Sequence, residues 1–370
     1  MEKKCVQRVL YVHGGILLRG GTEAYMMNYY RQFDPSCLQV DFMVHGYEKG
    51  VYDDEILEKG GRIHHLPLKT NAPIKYFTTM WSVMKSGEYR IVHAHMDTMN
   101  VIPLFMAKLA GVPVRISHSH STSVQTASKL KKLLHEIIKK TIRFTATHLF
   151  ACSEMAGEWL YGDTPFRVIP NAIDLSRFSY DETERVKIRK QLNVDDNDIV
   201  LGHVGRVSAE KNQHFLLEVL RKVKEKRLSC KLVMVGDGPL KEGLKDEVSK
   251  LNLVDDVRFV DACSDVYRYY QAFDWFCLPS LFEGLPVVGI EAQVNGLRCL
   301  VSDRVTEKLN KTGNISFLPI GVDDTVVWSD MICTQLSSWR DKNALKKMQN
   351  AGYDIHSTSK VLQAIYLDMM

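Results

Sequence analysis

Short runs of apolar residues recur along the chain, separated by longer amphipathic stretches. Runs rich in Val, Ile, Leu and Phe are typical of buried parallel strands, and the stretches between them are typical of connecting helices. The runs form two series. The first series predicts strands at residues 8–14, 39–45, 61–67, 90–96, 114–120, 148–153 and 166–171, and the second at 198–205, 230–236, 256–261, 275–280 and 297–303.

A polar and charged segment separates the two series and predicts a linker at about residues 174–183. Two successive βα series predict an α/β protein with two doubly wound, Rossmann-like domains that face each other across a cleft. The predicted domains span residues 1–178 and 179–354. In such folds ligands bind outside the carboxyl ends of the strands, so loops of both domains are expected to line the cleft.

The composition indicates a folded protein and limits the classes of partner that it could bind. Of the 370 residues, 45% are hydrophobic and 25% are charged, as in globular domains. The net charge of +4 fits an anionic small molecule or an acidic membrane surface and is too small for a nucleic-acid-binding protein. The eight scattered cysteines predict reduced thiols. No apolar segment is long enough for a signal peptide or a membrane span, so we expect a cytoplasmic protein.

Two cations follow the first strand of the second series. Arg206 and Lys211 lie in the loop that starts at Gly205, just before a predicted helix. The free amides of a helix N-terminus favour an anion, and two cations at such a place suit a diphosphate. The alternative is a pair of solvated surface charges.

Two glycines follow the next strand, as in part of a dinucleotide-binding fingerprint. Gly236 and Gly238 would need a third glycine at position 241, which is Lys241. The incomplete fingerprint predicts a tight turn.

The stretch PSLFEGLPVVGIEAQ, residues 279–293, holds two glutamates. Glu283 lies in a predicted loop, Gly284 lets the backbone bend, and Pro286 suits the first turn of a helix that contains Glu291. The two carboxylates can then contact two parts of one ligand, with the amides of residues 285–288 between them facing its phosphates. The alternative is that both glutamates only complement the helix dipole.

These motifs together resemble the donor-binding domain of the GT-B glycosyltransferases of family 4. The family's marks are G-R-x-x-x-x-K, V-G-x-G-P and P-S-x-x-E-G-x-P-x-x-x-x-E-A, and all three stand here in order, at residues 205–211, 235–239 and 279–292. The first half of the chain also resembles the family, at the segments GGTEAY (20–25), VHAHM (92–96) and HSHSTS (118–123). The resemblance spans nearly the whole chain and points to the bacterial exopolysaccharide and capsule branch.

The resemblance implies a retaining transfer of a hexose from a nucleotide diphosphate sugar, with uridine as the expected base, to a lipid-linked or oligosaccharide acceptor. Arg206 and Lys211 would hold the diphosphate in place of a metal ion, and no cofactor is implied. Glu283 would bind hydroxyls of the donor sugar and Glu291 those of the ribose. The other implied donor contacts are Gly21, Gly205, Gly284, Leu285, Pro286 and Val287.

The first domain is implied to bind the acceptor, with a C-terminal helix at about residues 355–370 packing back on it. Gly20 and Gly21 lie just ahead of a helix that begins near Thr22, where a bare backbone can approach a phosphate or the acceptor. The alternative is that these glycines only make a turn. His120 matches the family histidine beside the donor sugar, and His118 is the alternative register on the acceptor side.

His93 and His95 alternate along a predicted strand like half of a metal site. No third ligand is evident from the sequence, so no metal is predicted.

Residues 128–144 predict an amphipathic helix. Such a helix can lie on an anionic membrane, which would place the protein peripherally on the inner face of the plasma membrane. The alternative is that its apolar stripe packs on the sheet while the lysines face water. The stripe consists of Leu130, Leu133, Leu134, Ile137, Ile138 and Ile142, and the flanking cations are Lys129, Lys131, Lys132, Lys139, Lys140 and Arg143.

Two other functions remain open on the sequence. The first is a catalytically silent nucleotide- or glycan-binding subunit that requires a partner, against which the intact Arg206, Lys211, Glu283 and Glu291 argue. The second is a nicotinamide-dependent oxidoreductase, against which the missing third glycine argues.

Overall fold

The computed structural model describes residues 6–122, 128–334 and 339–370. The chain divides into two compact units, Met1–Ile173 with Asp354–Met370, and Asp174–Tyr353. The second unit thus begins at Asp174, the first residue of the predicted linker and five residues before the predicted domain start at residue 179. Phe178 packs its ring 5.8 Å from that of Tyr270, and its carbonyl oxygen accepts a hydrogen bond from Asn295. These contacts tie Phe178 to the second unit.

The sheet of the first unit has seven parallel strands. They are β1 (Gln7–His13), β2 (Leu38–His45), β3 (Ile63–Leu66), β4 (Ile91–His95), β5 (Val114–Ser119), β6 (His148–Ala151) and β7 (Arg167–Val168). Their order across the sheet is β3-β2-β1-β4-β5-β6-β7, so it reverses between β1 and β4.

Helices cover both faces of this sheet. They are α1 (Gly21–Tyr30), α2 (Asp53–Glu58), α3 (Pro73–Lys85), α4 (Val101–Ala110), α5 (Lys129–Thr145) and α6 (Glu154–Tyr161). Side chains alternate along β1, so that Val9 and Tyr11 join one apolar cluster and Leu10 and Val12 join another. Burial on both faces explains why these strands read as continuous apolar runs.

The second unit repeats the plan with six parallel strands in the order β10-β9-β8-β11-β12-β13. The strands are β8 (Ile199–Val204), β9 (Cys230–Val235), β10 (Val257–Val260), β11 (Trp275–Leu278), β12 (Arg298–Ser302) and β13 (Ile315–Leu318). The helices are α7 (Leu175–Phe178), α8 (Glu182–Gln191), α9 (Gln213–Glu225), α10 (Lys241–Lys250), α11 (Tyr267–Ala272), α12 (Val287–Val294), α13 (Thr325–Thr334) and α14 (Ala344–Asn350).

The chain then returns to the first unit in helix α15 (Ile355–Asp368). The amide of Ile355 donates to the carbonyl of Ile173 at 3.0 Å. Near the other end of α15, the Tyr366 hydroxyl lies 2.8 Å from the Tyr11 hydroxyl on β1. Helix α15 is thereby part of the first unit's core.

The doubly wound α/β fold predicted for each half is confirmed, and all twelve predicted strands are present. Strand β13 was not predicted. It spans only four residues at the edge of the sheet.

Candidate functional site

The loops that follow β8 and β11 lie side by side in the second unit. Strand order reverses between these two strands, and ligands of doubly wound sheets bind at such a point. The amide of Leu281 donates to the carbonyl of Glu210 at 2.8 Å, and the Asn212 side chain donates to the carbonyl of Pro279 at 3.2 Å. These bonds hold the two predicted motifs against each other.

Lys211 and Glu283, both predicted site residues, form an ion pair across these loops. Their side chains are 17% and 15% exposed, so the pair is partly shielded from solvent. The Ser280 hydroxyl also donates to the Glu283 carboxylate, at 2.8 Å. Sequence reasoning did not assign Ser280 a role, although it stands in the same motif. The structure thus holds a cation and a carboxylate together at the strand ends.

Arg206 is an exposed residue of the same loop. Its backbone is fixed, because the Gln213 side chain donates to its carbonyl at 2.8 Å. Its guanidinium makes no hydrogen bond or ion pair with any residue that the structure describes. Arg206 therefore offers a positive charge and a complete set of donors to a ligand.

The glycine turn after β9 packs directly on the loop that carries Arg206. A Cβ atom on Gly236 would lie 2.0 Å from the carbonyl oxygen of Gly205, and one on Gly238 would lie 2.1 Å from that of Val207. Gly236 also has a φ of +145°, which other residues rarely adopt. The two glycines are therefore needed for backbone contact between loops, in keeping with the predicted tight turn.

We expect Gly236→Ala to lower the free energy of unfolding by about 2–4 kcal/mol, because a backbone carbonyl cannot move aside cheaply. Urea unfolding would show this as an earlier midpoint. Gly243→Ala is the matched control: a Cβ there meets nothing within 4 Å, and the residue lies in α10. That variant should gain up to about 1 kcal/mol. Equal midpoints for both variants would contradict the packing described.

Helix α12 begins at Val287, one residue later than predicted, with Pro286 as its N-cap. The amides of Val287 and Val288 have no intrahelical acceptor, because their i−4 residues precede the helix. Pro286 has no N–H, so the predicted run of amides from Leu285 to Val288 is interrupted. The free amides can still receive an anion beside the Lys211 and Glu283 loops.

Glu291 lies in the second turn of α12, about 6 Å along the axis from Val287. Its carboxylate accepts a hydrogen bond of 2.6 Å from the Tyr270 hydroxyl on α11. Burial raises the pKa of Glu291 to about 7, and the Tyr270 hydrogen bond offsets this rise only in part. Sequence reasoning missed Tyr270, because nothing in its neighbourhood marks a contact 21 positions away.

In the first unit, α1 begins at Gly21, with Gly20 as its N-cap and Thr22 in its first turn. A Cβ on Gly20 would lie 2.4 Å from the Glu23 carboxylate, whereas one on Gly21 would meet nothing within 4 Å. The Glu23 carboxylate ends a flexible side chain and can move aside, so this contact does not require glycine at position 20. Gly21 is exposed and leaves the helix N-terminus open.

His118 and His120 occupy different environments. His118 is on β5 with an exposed fraction of 0%, whereas His120 follows the strand and is partly exposed. His118 packs beside the ring of Tyr25, 4.8 Å away between centroids, and its acceptor-side role stays a prediction. The amide of His120 donates to the Asp97 carboxylate at 2.7 Å, which fixes the backbone at the strand end.

The prediction that His93 and His95 have no third ligand at hand is wrong. Each of these two residues and His118 offers a ring nitrogen within 4.8 Å of the other two. Strand β5 pairs with β4, and this pairing brings the histidines together. The sequence did not reveal the contact, because it depends on the register of two strands.

The first half of the stripe on α5 faces solvent rather than the sheet. Leu130, Leu133, Leu134 and Ile137 are 76%, 59%, 53% and 55% exposed, while Ile142 is buried. The alternative, that the whole stripe packs on the sheet, is therefore wrong for this half. The side chains of Lys129, Lys131 and Lys132 lie outside the described part of the structure, as does Ser123 of the HSHSTS motif. Among the described helices, none combines the length and apolar character needed to cross a bilayer.

Comparison with known proteins identifies the family. Residues 19–177 match Glycosyltransferase Family 4, and residues 184–308 match Glycosyl transferases group 1. The chain belongs to family 4 of the glycosyltransferases and is a glycosyltransferase. The predicted family and enzyme class are confirmed, and the oxidoreductase alternative is excluded.

Individual relatives agree over most of the chain. EpsF of Bacillus subtilis (strain 168), named as a glycosyltransferase, is 34% identical over 97% of this chain and 96% of its own. An Escherichia coli UDP-Gal:alpha-D-GlcNAc-diphosphoundecaprenol alpha-1,3-galactosyltransferase is 28% identical over 80% of each chain. The structure of Anabaena Alr3699/HepE in complex with UDP matches with a TM-score of 0.79 at 17% identity, over 98% of this chain and 100% of that one. The fold is GT-B, as predicted.

Proposed function

We propose that this glycosyltransferase moves a hexose from a UDP-sugar to a lipid-linked glycan in exopolysaccharide or capsule synthesis. The observation that carries the proposal is the cluster of Arg206, Lys211 and Glu283 beside the free amides of α12, at the switch point of the second unit's sheet. Such a cluster suits a diphosphate joined to a sugar. The Escherichia coli relative, named for UDP-Gal and a diphosphoundecaprenol acceptor, supports both substrate classes.

In this proposal the cations act on the leaving group. As the bond between the sugar and the diphosphate breaks, negative charge grows on the phosphate oxygen, and Arg206, Lys211 and the α12 amides stabilise that charge. The proposal needs no metal for this step, because the two cations take its role. Glu283 accepts hydrogen bonds from hydroxyls of the sugar, and Glu291 accepts them from the ribose.

Retention of the anomeric configuration follows from attack by the acceptor hydroxyl on the face that the phosphate leaves. Glu283 is already assigned to sugar hydroxyls and to Lys211, so a covalent sugar–enzyme intermediate is not part of the proposal. His120 would lie near the reacting carbon, and Gly20, Gly21 and Thr22 near the acceptor or phosphate. A sugar covalently trapped on a carboxylate of the protein would contradict this mechanism.

The proposal can be tested by measuring the melting temperature of the protein with a panel of nucleotide sugars, each with and without EDTA. We expect one or a few UDP-sugars to raise the melting temperature, because a ligand that binds only the native state stabilises it. The rise should be the same with EDTA. Lys211→Ala should reduce the rise, whereas Lys245→Ala, an exposed lysine on α10, should not. Failure of every nucleotide sugar to shift the melting temperature would overturn the proposal.

We also infer that α5 contacts an anionic membrane peripherally, which would bring the enzyme to a lipid-linked acceptor. The exposed leucines and Ile137 form an apolar surface, and the exposed cations Lys140 and Arg143 stand on the same helix. Apolar insertion together with attraction to acidic headgroups is the usual basis of interfacial binding by helices.

We expect Lys140→Glu with Arg143→Glu to lower binding to phosphatidylglycerol vesicles by about tenfold or more, because each cation near an anionic surface contributes about 1 kcal/mol. Co-flotation measures this directly. Leu134→Glu with Ile137→Glu should have a similar effect through the apolar contact. The matched control is Lys190→Glu with Lys250→Glu, which makes the same charge change on exposed lysines of the second unit. Equal flotation of all variants would exclude α5 as the contact.

A further inference from the structure

Four imidazole rings share one side of the first unit's sheet. His93 and His95 lie on β4, His118 lies on the neighbouring β5, and His120 follows β5 directly. The rings of His93 and His95 are 4.2 Å apart between centroids, and those of His118 and His120 are 4.4 Å apart. Tyr25 of α1 covers the group, with its ring 4.8 Å from that of His118.

Hydrogen bonds between the rings use only part of their nitrogens. His93 Nε2 lies 3.0 Å from His118 Nδ1, and His95 Nδ1 lies 2.9 Å from His120 Nε2. His93 Nδ1 lies 2.6 Å from the Tyr366 hydroxyl. This arrangement leaves the Nε2 atoms of His95 and His118 buried and without a hydrogen-bond partner among the described residues.

Such unpaired atoms are costly in a protein core. A buried polar atom without a partner destabilises the folded state by about 1–3 kcal/mol, so two of them side by side call for an explanation. The Tyr25 hydroxyl is also buried and has no hydrogen-bond partner among the described residues.

We propose that His93, His95 and His118 bind a divalent transition-metal ion of the zinc type in the core of the first unit. Each residue offers a nitrogen within 4.8 Å of the other two. Zn–N bonds of about 2.0–2.1 Å require ligand nitrogens roughly 3–4 Å apart, so the rings rotate on binding. His93 must also release its hydrogen bond to His118 or to Tyr366, because both of its ring nitrogens are paired in the metal-free structure. Imidazole ligands suit zinc, copper, iron and nickel rather than magnesium or calcium. Tyr25 is the candidate fourth ligand.

The hydrogen bond between His95 and His120 suits this role. When His95 binds the ion through Nε2, its proton lies on Nδ1 and is donated to His120 Nε2. His120 must then carry its own proton on Nδ1. The ion therefore fixes the tautomer of His120 through His95, in the manner of outer-shell contacts at metal sites. This metal does not bind the donor diphosphate and replaces neither Arg206 nor Lys211; it acts on the proposed transfer only through the tautomer of His120.

The test uses the untagged full-length chain, stripped with a chelator and then supplied with Zn²⁺ or Co²⁺ alone. We expect about one ion bound per chain, with Co²⁺ giving the visible absorption bands of a low-symmetry histidine site. Zn²⁺ should also raise the melting temperature, whereas Mg²⁺ and Ca²⁺ should not. These measurements need no variant and do not depend on the donor experiment.

Variants then locate the site. His95→Gln and His118→Gln should each weaken metal binding by about tenfold or more, since each removes one of three ligands. His203→Gln is the matched control, because His203 is also buried but belongs to the second unit, where Nδ1 lies 2.9 Å from the Cys277 carbonyl oxygen. Absence of bound zinc and of cobalt bands in the wild-type protein would overturn the proposal. Equal binding by all folded variants would overturn it as well.

Discussion

Replacing Lys211 with alanine is expected to lower kcat/KM for the nucleotide-sugar donor by about 100- to 1,000-fold. The ammonium group of Lys211 is held at the strand ends by Glu283, which is itself fixed by the Ser280 hydroxyl. A cation fixed before the reaction needs no rearrangement as charge grows on the departing diphosphate. Its removal therefore raises the barrier more than it weakens donor binding, and kcat should fall with kcat/KM.

Two comparisons separate this role from a structural one. Lys245→Ala removes a lysine that pairs with Glu242 at 2.8 Å on the exposed face of α10, and it should leave kcat unchanged. Glu283→Gln keeps Lys211 but loses a charged acceptor for the sugar hydroxyls, so it should lower turnover while nucleotide affinity stays close to that of the wild type. If the kcat of Lys211→Ala stays within about threefold of the wild-type value, Lys211 does not stabilise the charge on the leaving group.

The fold could be predicted because the apolar runs are local. Residues buried on both faces of a parallel strand are apolar one after another, as in β11, and such runs marked the central strands. Strand β13 was not predicted; it spans only the four residues Ile315–Leu318 at the edge of the second sheet. The exact boundary between the units could not be predicted, because Phe178 contacts Tyr270, which lies far along the chain.

The site could be predicted only where one motif holds all of the parts. Glu283, Gly284 and Pro286 are neighbours in sequence, so their arrangement on a loop and a helix cap follows from local rules. Contacts between motifs could not be read in this way. The pair of Glu291 with Tyr270 depends on how α11 packs on α12, and the approach of His118 to His93 depends on the pairing of β4 with β5.

Glu291→Gln is expected to remove a pH dependence from the stability of the protein. The pKa of Glu291 is about 7 in the folded protein, above its ordinary value of 4.5, because burial disfavours the charged carboxylate. The folded state then binds the proton more tightly than the unfolded state does. The free energy of unfolding of the wild type therefore falls as the pH rises from 4.5 to 7, by at most about 3 kcal/mol, and levels off above that pH.

Urea unfolding of both proteins at pH 5 and pH 8 measures this difference. The Gln variant should be no more stable than the wild type at about pH 5 and more stable at about pH 8. Other titrating groups are shared by the two proteins, so their effects cancel in the comparison. If the difference in stability between the two proteins is the same at pH 5 and pH 8, the pKa of Glu291 is not raised in the folded protein.

The same ionisation should govern nucleotide binding. The ionised carboxylate is the stronger acceptor for ribose hydroxyls, and only a minor fraction of Glu291 is ionised at about pH 6 if its pKa is near 7. The affinity of the wild type for UDP should therefore rise about five- to tenfold more between about pH 6 and pH 8 than that of Glu291→Gln. Calorimetry on both proteins cancels the titration of the UDP phosphates. A ratio of affinities that does not change with pH would show that Glu291 does not bind the ribose as a carboxylate.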